Sequence, residues 1–138
     1  MAFHYGSDGA LGEAIAEDVR LGLIRSRADV FITSKQWCTD NHPTRVVSAI
    51  RTSLSNLKMD YLDLYLIHLP ISTKPGLGTY QLKREEVMPL DLKGVWEAME
   101  ECQKLGLTRS IGVSNFTTKK LEELLQFAKI PPAVNQDN

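Results

Sequence analysis

Several side chains able to do chemistry stand at the polar ends of apolar runs in this chain. Residues 29–34 run into Lys35, residues 63–67 into His68, residues 110–113 into Ser114 and Asn115, and Ala133-Val134 into Asn135 and Gln136. Tyr5 stands just before the first helical stretch. An ammonium about 4 Å from a phenol, at an effective dielectric near 20, favours the phenolate by roughly 4 kcal/mol. That is enough to lower a tyrosine pKa of about 10 by up to about 3 pH units. A tyrosine beside Lys35 would then exchange a proton near neutral pH and serve as a general acid toward a carbonyl oxygen. An imidazole at His68 would hydrogen-bond and orient the same oxygen.

Each of these residues has an ordinary structural reading. A tyrosine before a helix is usually a packing ring, a lysine ending a strand is usually solvated, and a histidine ending an apolar run is usually a satisfied structural group. The chemistry needs all three on one rim, so the elements that carry them decide the matter. Other chemistries lack their spacing. His4, His42 and His68 form neither HxH nor HExxH, and no GxSxG turn is present.

The element order predicts such a rim. A helix fits Ser7 to Leu21, with Leu11, Ala14, Ile15 and Val19 on one stripe and Gly22 as its C-terminal cap. A second helix is expected to open with Pro43 at its first position and to turn Val46, Val47, Ile50, Leu54 and Leu57 inward. A third carries Leu92, Val95, Trp96, Met99 and Cys102 and stops at Gly106. A fourth is capped by Thr117 and carries Leu121, Leu124, Leu125 and Ala128. Strands are expected over 29–35, 63–68, 109–114 and 133–136, and a long irregular stretch over 69–91. Four strands alternating with four helices read as a parallel α/β sheet, whose strand C-termini share one rim. An open doubly wound sheet and part of a (β/α)8 barrel both fit. The absence of GxGxxG and GxxxxGK[ST] turns favours the barrel.

The 138 residues are 43% hydrophobic with a formal net charge of -1, which suggests neither a nucleic-acid partner nor an anionic membrane surface. Cys38 and Cys102 lie far apart and outside any CxxC pattern, as expected of reduced thiols. No apolar run approaches a membrane span and no secretory signal is visible. A cytoplasmic protein is the expectation.

The segments Tyr5-Gly6-Ser7 before Leu11-Gly12-Glu13-Ala14-Ile15, Phe31 to Lys35, Tyr61 to His68, and Ser110 to Phe116 resemble the aldo-keto reductases. Gly94 to Cys102 and Ile130 to Gln136 are similar to a plant branch related to chalcone and methylecgonone reductases. The resemblance runs through nearly the whole chain. It implies a (β/α)8 TIM barrel that uses NADPH to reduce an aldehyde or ketone by hydride transfer. Matched residue by residue, it makes Tyr5 the proton donor, Lys35 its pKa-lowering partner and His68 the group that orients the carbonyl. It gives Ser114, Asn115 and Gln136 the nicotinamide carboxamide, and Trp37 a place on the substrate pocket.

The resemblance also carries departures. The family's catalytic aspartate would fall upstream of Met1, and its segment for the cofactor's adenosine phosphate beyond Asn138. Leu69 stands where tryptophan is common, and Asp137-Asn138 replaces Val-Glu. Residues 1–138 therefore read as a single incomplete reductase domain, with a small carbonyl compound as substrate. The full-length protein is expected to be a monomer and the fragment to fold marginally or self-associate. The alternative is a non-catalytic binding or regulatory protein, or a truncated product, on the same fold.

Overall fold

The structure is a computed structural model describing residues 8–74 and 84–136. Its helices are α1 (Asp8–Arg20), α2 (Val46–Leu57), α3 (Leu92–Lys104) and α4 (Thr118–Leu125). Its strands are β1 (Thr33–Gln36), β2 (Leu62–Ile67), β3 (Ser72–Thr73), β4 (Val87–Met88), β5 (Thr108–Ser114) and β6 (Asn135–Gln136). The main sheet runs β1-β2-β5-β6, parallel throughout.

One core explains the arrangement. Ile15 of α1, Val46, Ile50, Leu54 and Leu57 of α2, Val95, Trp96, Met99 and Cys102 of α3, and Leu124 of α4 join Tyr65, Ile67, Ile111 and Val113 of the sheet in a single buried cluster. Successive helices also pack on one another, α1 on α2, α2 on α3 and α3 on α4. A doubly wound sheet would divide its helices between two faces; here they share one, as in the wall of a barrel. Each core side chain contributes about 1.5–3 kcal/mol of burial, so this shared face organises the fold.

Local signals set the ends of the helices. The Asp91 carboxylate accepts the Gly94 N–H at 3.0 Å before α3, and Thr117 Oγ1 accepts the Lys120 N–H at 3.1 Å before α4. Gly22 and Gly106 follow α1 and α3 at φ +78°, the left-handed turn that ends a helix. Trp96 Nε1 donates to the Ile130 carbonyl at 3.0 Å, and Glu100 accepts the Lys129 and Ile130 N–H groups at 2.8 and 2.7 Å. Together they dock the segment leading to β6 against α3.

Several boundaries differ from expectation. The first strand starts at Thr33, because Arg27–Asp29 forms a single 3-10 turn capped by Ser26, whose hydroxyl accepts the Ala28 N–H. Phe31, between that turn and the strand, is 70% exposed. Pro43 lies in a turn closed by the Arg45 N–H on the His42 carbonyl at 2.8 Å, and α2 opens only at Val46. The ladder of β6 is shorter than 133–136, although Ala133 N–H still bonds the Ile111 carbonyl and the Val134 carbonyl accepts the Val113 N–H. In α4 only Leu124 is fully buried, and Leu125 faces outward at 52% exposure. The stretch expected to be irregular holds an antiparallel pair, β3 with β4, in which Ser72 faces Met88 and Thr73 faces Val87. Residues 75–83 lie outside the described part.

Candidate active site

The sheet register places the expected site residues on one face. Lys35 is paired with Leu66, and Leu66 with Gly112. Side chains alternate along a strand, so Lys35, Leu66 and Gly112 face away from the helical core. The next pairs, Gln36 with Ile67 and Ile67 with Val113, point toward the helices. One residue further, Trp37, His68, Ser114 and Gln136 return to the face of Lys35. Ser114 and Gln136 are direct partners, and the His68 N–H continues the ladder to the Gln36 carbonyl at 3.0 Å.

Close approach shapes the sheet at Gly112. A Cβ built there would stand 2.8 Å from Leu66 Cδ2 and 2.9 Å from the Val134 carbonyl oxygen. The absence of a side chain lets β5 sit between its neighbours directly below the rim.

Lys35 is half-buried, and desolvation holds its ammonium below the ordinary lysine value. His68 is buried, and its ring meets the Trp37 indole edge-on, with centroids 5.1 Å apart and planes at 66°. Asn115 adopts φ +61°, a left-handed conformation that asparagine tolerates better than most residues. From there its Nδ2 donates to the His68 carbonyl and to Ser114 Oγ, both at 3.1 Å. The Ser114 hydroxyl donates to the Gln136 carbonyl at 2.9 Å, and the Asn115 N–H donates to the same oxygen at 2.9 Å. Asn135 secures the turn by accepting the Phe116 N–H at 3.1 Å and donating to the Phe116 carbonyl at 2.9 Å.

The structure thus brings Lys35, Trp37, His68, Ser114, Asn115 and Gln136 to one end of the sheet. Tyr5 lies outside the described residues. The described residues bring to the rim the Lys35 ammonium, the His68 imidazole, and a set of amides and hydroxyl that both donate and accept. Such a neutral set suits a carboxamide, which presents an acceptor oxygen and a donor NH2. Among the described residues, no group of three or more His, Cys, Asp or Glu side chains could hold a metal ion. No helix there is long and apolar enough to cross a membrane.

Sequence reading missed Gln36 and Asn41. Both are buried at 1% exposure behind the rim, and Gln36 Nε2 donates to Asn41 Oδ1 at 2.7 Å. The one available signal was the placement of two amides beside the predicted strand end.

Comparison with known proteins agrees with this geometry. The sequence pattern of the Aldo/keto reductase family matches residues 1–138. The chain is 59% identical over 132 residues to NADPH-dependent codeinone reductase 1-3 of Papaver somniferum, covering 96% of this chain and 41% of that protein. It is 58% identical over 132 residues to the NAD(P)H-dependent 6'-deoxychalcone synthase of Glycine max, covering 96% of this chain and 42% of that protein. Among solved structures, the aldose reductase of Schistosoma japonicum superposes with a TM-score of 0.91 at 34% identity, over 99% of this chain and 46% of that one. A Bombyx mori aldo-keto reductase in complex with NADP superposes with a TM-score of 0.89 at 37% identity, over 99% and 42%. The chain spans about two fifths of the length of the curated relatives it matches. Its four parallel strands and four helices form part of a (β/α)8 barrel, and the chain belongs to the aldo/keto reductase family.

Proposed function

We propose that the polypeptide carrying this chain reduces an aldehyde or ketone to an alcohol with NADPH. The observation that carries this reading is the shared rim: half-buried Lys35 lies on the same sheet face as His68, and Asn115 is bonded to the His68 main chain. Family membership and an NADP-bound neighbour support it.

Ser114, Asn115 and Gln136 would hold the carboxamide of the nicotinamide, the Gln136 side-chain amide offering it donors and the Asn115 and Ser114 side-chain oxygens acceptors. When bound, the cofactor supplies a hydride to the carbonyl carbon. His68 hydrogen-bonds the substrate oxygen and fixes its direction. Tyr5, which precedes α1 in sequence, gives that oxygen its proton. Lys35 keeps the phenol acidic enough to do so near neutral pH, since a nearby cation favours the phenolate. Trp37, packed edge-on against His68, forms a wall of the carbonyl pocket.

The test is carbonyl-dependent loss of NADPH absorbance. Turnover is expected, together with a loss of at least about 100-fold in Tyr5→Phe, the scale of a general acid removed. Unchanged turnover in that variant would remove Tyr5 from its role. Quenching of tryptophan fluorescence by NADPH, with no carbonyl reduced, would replace the reductase reading with one of binding alone.

A further inference from the structure

We propose that Asn41 is a positioning residue for this site, holding the Trp37 turn and the segment after His68 in one geometry. The proposal rests on the reductase reading for its catalytic consequence, whereas the clamp itself rests on contacts alone.

Two chain segments leave the rim side by side. After β1 the chain passes through Trp37 into a short 3-10 turn, Cys38–Asp40, and reaches Asn41. After β2 it passes through His68 and Leu69 to Ile71 and enters β3. Asn41 joins them. Its Nδ2 donates to the Leu69 carbonyl at 3.1 Å and to the Ile71 carbonyl at 2.7 Å. Its own carbonyl accepts the Ser72 hydroxyl at 2.6 Å. Its Oδ1 accepts from Gln36 Nε2 at 2.7 Å, and Gln36 Oε1 accepts the Tyr65 hydroxyl at 3.3 Å. Beside it, His42 Nε2 donates to the Thr73 carbonyl at 2.7 Å.

Every side chain of the central relay is nearly inaccessible: Gln36, Asn41 and Tyr65 are 1% exposed and Ser72 is 0%. Buried amides without water to replace their partners have a steep energetic preference for one geometry. The relay therefore fixes the backbone on both sides of the Trp37–His68 ring contact. It sets where His68 can point without touching the reacting atoms.

The position of Asn41 explains why an amide serves here. One side chain must donate twice, to two carbonyls of the same loop, and accept once from Gln36. Aspartate offers no donor, and a hydroxyl offers only one. Leu69 and Ile71 are two residues apart, so the fork of one NH2 group pins the direction of the loop as well as its distance.

The experiment uses Asn41→Asp, which keeps the shape and the acceptor but removes both donors, and Ser72→Ala, which removes only the bond from the loop side. The chain has two tryptophans, so indole N–H resonances report two places at once. Trp37 reports the clamped turn, and Trp96, bonded to the Ile130 carbonyl, reports the core. The expected result in both variants is displacement of the Trp37 and His68 ring signals, with the Trp96 signal unmoved. Turnover of carbonyl substrate should fall roughly 10- to 100-fold in Asn41→Asp, the scale of a small misplacement, with the KM for NADPH little changed. Unmoved Trp37 signals in both variants would overturn the proposal. So would equal displacement of Trp37 and Trp96, which would mean general loosening of the core. If the parent protein turns over no carbonyl, the reductase reading fails by itself, and the two indole signals still decide the clamp.

Discussion

Asn115 Nδ2 donates to the His68 carbonyl at 3.1 Å, a bond that ties the turn after β5 to the residue that follows β2, 47 positions earlier. It depends on a backbone at φ +61°. Asn115→Ala therefore loses two things, the side-chain bonds and the residue's tolerance of a left-handed conformation. The two losses together are expected to cost about 2 kcal/mol in denaturant unfolding. Asn115→Gly keeps the backbone at ease and loses only the bonds, so it should cost about 1 kcal/mol. Equal losses in the two variants would show that the backbone conformation contributes nothing.

At the opposite end of the sheet, Asp63 is a structural anchor. Its Oδ2 accepts the Ile32 N–H at 2.8 Å and pairs with the Arg27 guanidinium at 2.9 Å, both groups being largely buried. Arg27 also donates to the Val30 and Tyr61 carbonyls and lies 4.2 Å from the centre of the Tyr61 ring. Asp63→Ala would leave a buried cation and a backbone donor unpaired, at a cost of about 3 kcal/mol. Asp63→Asn keeps an acceptor for Ile32 and should lose clearly less. Urea midpoints of the two variants measure the difference; equal midpoints would mean that the Ile32 bond carries no stability.

These two anchors mark where sequence reading reached and where it stopped. Asp63 and Asn115 both lay inside recognisable runs, and the apolar periodicity of α2 and α3 named Ile50, Leu54, Val95, Trp96 and Met99 as core, as found. Periodicity works there because one helical stripe faces one sheet. It could not find the start of β1, because Asp29 belongs to a turn capped through Ser26, a choice made by one hydroxyl against the β-rich residues that follow. It overcounted α4 only at Leu125, which is 52% exposed, whereas Leu124 is fully buried and Leu121 and Ala128 pack against the core. It did not reveal the partners of Asn41, because its donors are satisfied by carbonyls 28 and 30 residues away. No spacing rule encodes a bond from a side chain to a distant main chain. The rim residues were legible because strand ends are, whereas Tyr5 lies outside the described residues.

The two thiols make a separate prediction. Cys38 and Cys102 are both 0% exposed, and burial pushes each thiol up to about 12. Only the thiolate attacks a disulfide reagent. The native protein at pH 8 is therefore expected to react no faster than it unfolds, and to release two equivalents once denaturant is added. A rapid first equivalent under native conditions would show that one cysteine is open to solvent.

Lys35 gives the pH-dependent case. Its ammonium is held below the ordinary value of 10.5 because burial penalises the charged form. Below its folded value the lysine is charged in both folded and unfolded chains, and the folded chain bears the whole desolvation cost. As pH rises through the folded value, the native lysine releases its proton while the unfolded one keeps it until 10.5. The unfolded chain then binds more protons, and stability rises across that interval. Lys35→Met removes the cost at every pH. Its unfolding midpoint should therefore exceed the parent's at pH 7, and the gap should narrow as pH approaches 10.5. On the proposed reductase reading, carbonyl reduction should fall in the same variant, because the Lys35 cation would no longer favour the phenolate. A cation retained at a stability cost yet required for turnover is the signature of a site residue; a gap that stays constant with pH, with turnover intact, would make Lys35 an ordinary surface lysine.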